Sequence, residues 1–289
     1  MLVKIRFTTA MVIFAVLVAM VVSAPVRAGD SLPSELDRVD RRAELIGWEA
    51  VGRLDMRGQG TCSGALIEPD LVLTAAHCVV NDAGEKFAPT DILFRAGLRN
   101  GDYIAASRGL AVAVAPDYEG SAGSAATMAQ IRHDVALVKL ATPVARALAQ
   151  PFPIHRTSRS RGELMVASYG QGRNDTLSIQ RECHILDAGA GIMGFDCDIT
   201  YGSSGAPVFS IDGVRPAIIS VVSATATKEG KRYGLGVEVR DVVEVLKREI
   251  ALGAPQVATR PVVVKRMRPS SDATGSARKV GGAKFVSSK

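Results

Sequence analysis

TAAHC at residues 74–78 is the first of three short stretches that decide the fold of this chain. The other two are HDVALVKL at residues 133–140 and GSSGAP at residues 202–207. They supply, in this order, a histidine, an aspartate and a serine flanked by glycines. A serine hydroxyl attacks an acyl carbon when an imidazole takes its proton and a carboxylate holds that imidazole in the required tautomer. The three stretches therefore hold the side chains that acyl transfer to a serine requires, in one of the known chain orders.

Each of these residue types can be given a role from its position. We expect His77 to act as general base, Asp134 as its orienting carboxylate and Ser204 as nucleophile. Ser203 is the competing hydroxyl, but Ser204 has the required register, two residues after Gly202. The backbone N–H groups of Gly202 and Ser204 would then face a developing oxyanion.

The other three histidines lack a comparable motif. They are His133, His155 and His184, and we expect them to be ordinary side chains. Asp134 is predicted to open an apolar strand, where its neighbour His133 would point to the opposite face.

The three stretches resemble the motifs of trypsin/chymotrypsin-type serine proteases. TAAHC matches the family's histidine motif, DVALVKL is similar to the aspartate motif D-I-A-L-L, and GSSGAP matches G-D-S-G-G-P except at Ser203 and Ala206. The resemblance covers about residues 45–250 and is greatest to the bacterial branch that includes the glutamyl-endopeptidase (V8-like) enzymes. It implies an all-β fold of two packed six-stranded antiparallel barrels with a C-terminal helix, and serine endopeptidase activity through an acyl-enzyme.

Short apolar runs between turn residues predict strands in two groups. The first group is 62–67, 71–74, 92–96, 110–114 and 135–140; the second is 164–169, 182–186, 207–210, 217–223 and 234–239. The break between the groups falls near residues 143–153. Periodicity alone does not distinguish barrels from a sandwich, so the barrels are what the resemblance implies. Residues 241–252 have helical spacing, with Gly253 at the stop.

The first 28 residues have the pattern of a secretory signal peptide. Lys4 and Arg6 precede an unbroken apolar run of twelve residues, 11–22, and small residues two apart precede a cleavage point after Ala28. Cleavage after Ala24 and an uncleaved anchor are the alternatives, although the run is short for a membrane span. We expect a bacterial protein that is secreted or periplasmic, with an N-terminal strap at 29–44, a protease domain at 45–253 and a tail at 254–289.

The tail carries the basic charge of the chain. Residues 254–289 hold eight Lys or Arg and one Asp, whereas the whole chain has a formal charge of +6. Their composition, rich in Ser, Gly and Pro, cannot bury a core and predicts disorder. The tail also favours binding to an anionic envelope polymer or a membrane surface, or is trimmed during maturation. No nucleic-acid partner is expected.

The chain has four cysteines, which in an exported protein indicate disulfides. Four cysteines allow three pairings. The resemblance implies Cys62–Cys78 beside the histidine motif, which leaves Cys183–Cys197 as the second bridge. Structural zinc is the alternative, but the spacings do not suggest it.

Substrate specificity is the point on which the sequence is ambiguous. Asp198 lies six residues before Ser204, where its counterpart in trypsins binds Lys or Arg side chains. The surrounding CDITYG is also similar to glutamyl endopeptidases, but these favour Thr at the position of Ile199 and a histidine on the facing strand. The resemblance places a substrate pocket at Asp198, Ser223 and Thr225, and it leaves both basic specificity and a purely structural Asp198 open.

Ser203 is the departure from the family pattern with the largest consequence. Trypsins carry an aspartate there, which pairs with the new N-terminal ammonium group after activation. The N-terminal motif Ile-Val-Gly-Gly is also missing, since the chain has LIGW at residues 45–48. We therefore predict a nucleophile loop that is ordered without this activation step.

Two further functions fit the same motifs. One is a non-catalytic binding module on the same fold, although such modules usually lose a member of the triad. The other is hydrolysis of esters or small amides only. We expect a monomer that acts on a protein or peptide substrate without a cofactor, and no metal site, because no acidic cluster argues for one.

Overall fold

The fold is described from a computed structural model. The structure describes residues 35–81, 84–120 and 126–253; the predicted signal peptide and basic tail lie outside this part of the chain. Within it, no helix has the length and apolar character needed to cross a membrane.

The first half of the chain forms a closed antiparallel barrel. It is preceded by a short strand, β1 (Leu36–Arg38), and a 3₁₀ turn at Arg42–Leu45. The barrel strands are β2 (Val51–Met56), β3 (Gly60–Glu68), β4 (Leu71–Thr74), β5 (Ile92–Ala96), β6 (Ala105–Val114) and β7 (Ala136–Leu140). Their order around the barrel is β2-β3-β4-β7-β6-β5. All four residues of β4 are buried, so the strand before the histidine motif is fixed by core packing.

The second half forms another closed antiparallel barrel. Its strands are β8 (Glu163–Ser168), β9 (Ser178–Gly189), β10 (Ile192–Phe195), β11 (Pro207–Ser210), β12 (Ala217–Lys228) and β13 (Lys231–Glu238). Their order is β8-β9-β10-β13-β12-β11, and pairing of β9 with β8 closes the ring. The two six-stranded barrels confirm the chymotrypsin-like fold that the resemblance implied.

The strap that precedes the first barrel joins the second one. Strand β1 pairs antiparallel with β9, with Leu36 opposite Gln180. Val39 N–H then donates to the Leu177 carbonyl at 2.9 Å. Residues 141–162 connect the barrels, and this connection contains the predicted break at 143–153.

A C-terminal helix, α2 (Arg240–Gly253), closes the described chain, after the five-residue helix α1 (Met128–Arg132). The α2 side chains of Val243, Leu246 and Ile250 are buried, at the spacing of one helix face. Lys247 Nζ pairs with Glu68 of β3 at 2.9 Å. These contacts seat the helix on the first barrel.

The surroundings of Asp134 differ from the prediction. Asp134 does not open a strand but lies two residues before β7. His133 caps the C-terminus of α1, so it is not a strand neighbour on the opposite face. The physical reason is a capping box at Thr127 and Gln130, which starts a short helix that ends at His133.

Two disulfides lie near the histidine motif and the serine motif. They join Cys62 to Cys78 and Cys183 to Cys197, the pairing that the resemblance implied. The first bridge ties β3 to the 3₁₀ turn Ala76–Cys78, and the second ties β9 to the segment after β10.

Candidate active site

The histidine and the aspartate of the two first-barrel motifs are in direct contact. His77 lies in the 3₁₀ turn after β4, where its Nδ1 is 2.7 Å from Oδ2 of Asp134. The backbone N–H of His77 donates to Oδ1 of the same carboxylate at 2.9 Å. These two contacts fix both the turn and the imidazole ring relative to one carboxylate.

This contact also sets the charge preference of the imidazole. Burial by itself lowers the pKa of His77, but attraction and hydrogen bonding from Asp134 outweigh it and raise the pKa above 6.5. The Asp134 side chain is only 4% exposed, whereas that of His77 is 29% exposed. The carboxylate is therefore held inside the protein, and the imidazole still reaches the surface.

Ser204 faces the same cleft as the histidine and the aspartate. The cleft has a volume of about 710 Å³, and its lining includes His77, Asp134, Gly202, Ser204 and Ser223. The structure thus brings together the base, the carboxylate and the nucleophile that the sequence predicted, from two different barrels.

Backbone geometry shapes the loop that carries Ser204. Gly202 has φ +84°, and a Cβ there would lie 2.5 Å from the Tyr169 carbonyl oxygen. Gly205 has φ +74°, and its Cβ would lie 2.4 Å from the Ser63 carbonyl oxygen. Glycine is required at both positions because a side chain would be strained and would clash.

The N–H groups of this loop divide into two sets. Those of Ser203, Gly205 and Ala206 donate to backbone carbonyls at 2.8–3.0 Å. Within the described part of the chain, those of Gly202 and Ser204 donate to no protein acceptor, and both residues line the cleft. The pair is thus available for an oxygen that enters the cleft.

Ser223 both lines the cleft and bonds to Asp134. It was predicted as a pocket residue, and it does line the cleft. Its hydroxyl, however, donates to Oδ2 of Asp134 at 2.5 Å. The same carboxylate oxygen thus receives hydrogen bonds from Ser223 and from His77, so Ser223 helps to orient Asp134.

The other two predicted pocket residues lie elsewhere. Among the residues that the structure describes, Asp198 and Thr225 line a smaller cavity of about 280 Å³, not the 710 Å³ cleft. Asp198 accepts a hydrogen bond from Arg232 Nη2 at 3.2 Å, and both side chains are about half exposed. The structure therefore places Asp198 and Thr225 beside one cavity and Ser223 beside the other, and an arginine on β13 pairs with the Asp198 carboxylate.

Ser63 on β3, which the sequence did not indicate, ties the first barrel to the nucleophile loop. Its hydroxyl donates to the Gly202 carbonyl and accepts from Tyr169 N–H, both at 2.8 Å. Its backbone N–H donates to the Ser204 carbonyl at 2.8 Å. No sequence signal could reveal it, since these partners lie more than 100 residues away.

Potential metal ligands converge once within the residues described. These are Cys62, His77 and Cys78, but the two cysteines are joined in a disulfide. Since zinc binds the thiolate form of cysteine, this group does not constitute a metal site.

Comparisons with known proteins support the fold. A Glu endopeptidase solved in complex with MPD has a TM-score of 0.62 at 16% identity, over 75% of this chain and 96% of that one. AL20, a thermostable serine protease from an extremophilic microorganism, has a TM-score of 0.57 at 18% identity, over 71% and 98% of the two chains. At these identities the likeness shows the fold. A search of curated protein sequences finds no match to the chain.

The fold and these likenesses define a chymotrypsin-like architecture. A family model described as a trypsin-like peptidase domain matches residues 62–215, more than half of the chain. The chain belongs to this family and is a serine-type peptidase.

Proposed function

We propose that the protein is an exported serine endopeptidase that cleaves peptide bonds through an acyl-enzyme, with His77, Asp134 and Ser204 as its triad. The observation that carries the proposal is the 2.7 Å contact between His77 Nδ1 and Asp134 Oδ2 in the cleft that Ser204 lines. This contact leaves Nε2 as the nitrogen that can take the serine proton.

The reaction begins with binding of a peptide in the cleft. His77 takes the proton of the Ser204 hydroxyl while Oγ attacks the carbonyl carbon, and the N–H groups of Gly202 and Ser204 stabilise the oxyanion. Protonated His77, stabilised by Asp134, then gives its proton to the leaving amine. Water hydrolyses the acyl-enzyme by the reverse sequence of proton transfers, which frees Ser204.

The cleft favours an extended, uncharged polar substrate. Apart from His77 and Asp134, its lining as described has no charged side chain, but it has five amides: Gln59, Asn81, Gln130, Gln171 and Asn174. Amide side chains can both donate and accept hydrogen bonds. The side chains of Asn81 and Gln130 already bond within the protein, so the other three suit a peptide backbone, and we infer a protein or peptide substrate.

Peptide cleavage by the mature protein tests this proposal. An unfolded protein and a mixed peptide library would be incubated with wild type and with Ser204→Ala, and the products identified by mass. We expect internal cleavage by wild type only, with a burst of product on an activated ester that reports acyl-enzyme formation. Binding without turnover would indicate the non-catalytic module, and cleavage of esters alone would indicate an esterase.

Export is part of the same proposal. The two disulfides suit an oxidising compartment. Expression of the full chain in a bacterial host, followed by fractionation and N-terminal mass analysis, should give a secreted or periplasmic protein that begins at Gly29. A cytoplasmic protein that retains residues 1–28 would contradict export.

A further inference from the structure

A partly buried arginine lies beneath the nucleophile loop. Arg173 follows β8, and its Nη1 donates to the carbonyl and the hydroxyl of Ser168 at 3.0 and 3.1 Å. Its Nη2 is buried and, among the described residues, has no hydrogen-bond partner. A Cβ at Gly170 would lie only 2.6 Å from this nitrogen, so the guanidinium is packed tightly against the backbone.

Keeping a cation at this position has a cost. Burial lowers the pKa of Arg173, and attraction from Asp198 offsets only part of this effect. An arginine remains charged even so, and a buried charge without full pairing destabilises a fold. We therefore expect Arg173 to have a functional role that compensates for this loss of folding stability.

The hydrogen bonds of Arg173 continue into the loop. The Ser203 hydroxyl donates to the Ser168 hydroxyl at 3.2 Å, and the N–H of Thr200 donates to the Ser203 hydroxyl at 3.4 Å. Ser203 is fully buried and lies between Gly202 and Ser204, the two residues whose free N–H groups line the cleft. The path from the guanidinium to the oxyanion site thus passes through two hydroxyls.

We propose that Arg173 is a positioning residue which, through Ser168 and Ser203, holds the nucleophile loop so that the N–H groups of Gly202 and Ser204 face the cleft. This inference rests on the proposed function. Both guanidinium hydrogen bonds are charge-assisted: one goes to the Ser168 carbonyl, and the other occupies an acceptor site on the Ser168 hydroxyl in a fixed direction. They thereby fix the orientation of the acceptor to which Ser203 donates. All of these contacts lie within one folded chain. The loop is therefore ordered without an N-terminal ion pair, which Ser203, unlike an aspartate, cannot form.

The closing experiment compares Arg173→Met and Arg173→Lys with Arg161→Met, an exposed arginine for which the structure describes no ion pair. For each we would measure the second-order rate of labelling by a fluorophosphonate, the kcat and KM on a peptide ester, and the thermal unfolding midpoint. We expect Arg173→Met to lower the labelling rate and kcat by about 10–100-fold, with KM changed less than about 3-fold. Arg173→Lys should recover part of the loss, and Arg161→Met should equal wild type.

Chemical rescue separates positioning from general stability. Guanidinium added at millimolar concentration to Arg173→Ala should restore part of the labelling rate, because it can reoccupy the vacated site next to Ser168. A merely structural arginine would not give this recovery together with an unchanged KM. Failure of rescue, or a loss that falls on KM alone, would overturn the positioning role.

Ser203→Ala provides a second test of the proposed path, which applies even if the Arg173 variants do not fold. This small change breaks the path at its last hydroxyl, and we expect a several-fold slower labelling with a nearly unchanged unfolding midpoint. The double variant Arg173→Met/Ser203→Ala should be no slower than Arg173→Met, since both remove the same path. Labelling of Ser203→Ala at the wild-type rate would overturn the inference, whereas an unreactive wild type would count against the proposed function itself.

Discussion

Among the residues that the structure describes, two histidine–aspartate pairs have the same arrangement: His77–Asp134 on the first barrel and His184–Asp196 on the second. In each, the backbone N–H of the histidine donates to one carboxylate oxygen, at 2.9 and 2.5 Å, and Nδ1 lies near the other, at 2.7 and 3.3 Å. In each, a disulfide cysteine adjoins the histidine.

What differs is the space that each pair faces. His77 and Asp134 share their cleft with Ser204 and with the free N–H groups of Gly202 and Ser204. Asp196 instead lines the smaller cavity with Asp198 and Arg232. In this protein, a histidine–aspartate pair is a candidate base only where a hydroxyl and an oxyanion site share its cleft.

Removing each imidazole in turn should give the largest difference in activity between the two pairs. We expect His77→Ala to lower kcat by about 10⁵-fold or more, since the serine loses its base. His184→Ala should leave kcat/KM within about 3-fold of wild type, because its pair lies outside the cleft. Steady-state kinetics on one peptide substrate checks both, with unfolding midpoints as the control. Comparable losses of kcat in the two variants would contradict the claim that only the His77–Asp134 pair serves catalysis.

Removing each carboxylate charge should give a smaller contrast. Asp134→Asn keeps the shape but favours the wrong tautomer of His77, and we expect kcat to fall by about 10⁴-fold. The matched Asp196→Asn should keep nearly full kcat. If Asp134→Asn retained more than a tenth of the wild-type kcat, Asp134 would not be the orienting group.

The pH profile follows from the raised pKa of His77. Catalysis needs the neutral imidazole, so kcat/KM should rise with pH about tenfold per unit and level off with a midpoint above 6.5. Folding favours protonated His77, which contributes stability below pH 6.5 that is lost as pH rises through the folded pKa. Asp134→Asn should move the midpoint lower, and His184→Ala should leave it in place. A wild-type midpoint below 6.5 would contradict the account.

The smallest effect is expected at the second cavity. Asp198→Asn should change the ratio of cleavage after Lys or Arg to cleavage after other residues by less than about 3-fold, because Asp198 lines the smaller cavity and not the cleft that Ser204 lines. The peptide library described above measures this ratio, with Arg232→Gln as the partner variant. A tenfold loss of cleavage after basic residues in Asp198→Asn would restore the trypsin-like pocket.

Much of the fold could be predicted because its signals are local or carried by the motifs. β4 and β11 match the predicted strands, and α2 (Arg240–Gly253) exceeds the predicted helix by a residue at each end. The barrel strand β2, the short strands β1 and β10 and the helix α1 were missed. Three or four residues carry little periodicity, and α1 is defined by a capping box rather than by an apolar stripe.

The triad motifs predicted which residues meet, but not what supports them. The partners of Ser63 and Ser223 are brought together by packing of the two barrels against each other: Ser223 reaches Asp134 across 89 positions of sequence. For Asp198, the motif position suggested a substrate pocket. Its observed partner is instead Arg232, which the local sequence does not indicate. Contacts of this kind depend on tertiary structure and leave no pattern in the local sequence.

The most direct test of the central claim is intact-mass analysis and peptide mapping after treatment with a fluorophosphonate, for wild type, Ser204→Ala and His184→Ala. We expect a single adduct, located on Ser204, in wild type and His184→Ala, and none in Ser204→Ala. An adduct on another residue, or no adduct on folded wild type, would contradict the claim that the His77–Asp134 pair activates Ser204.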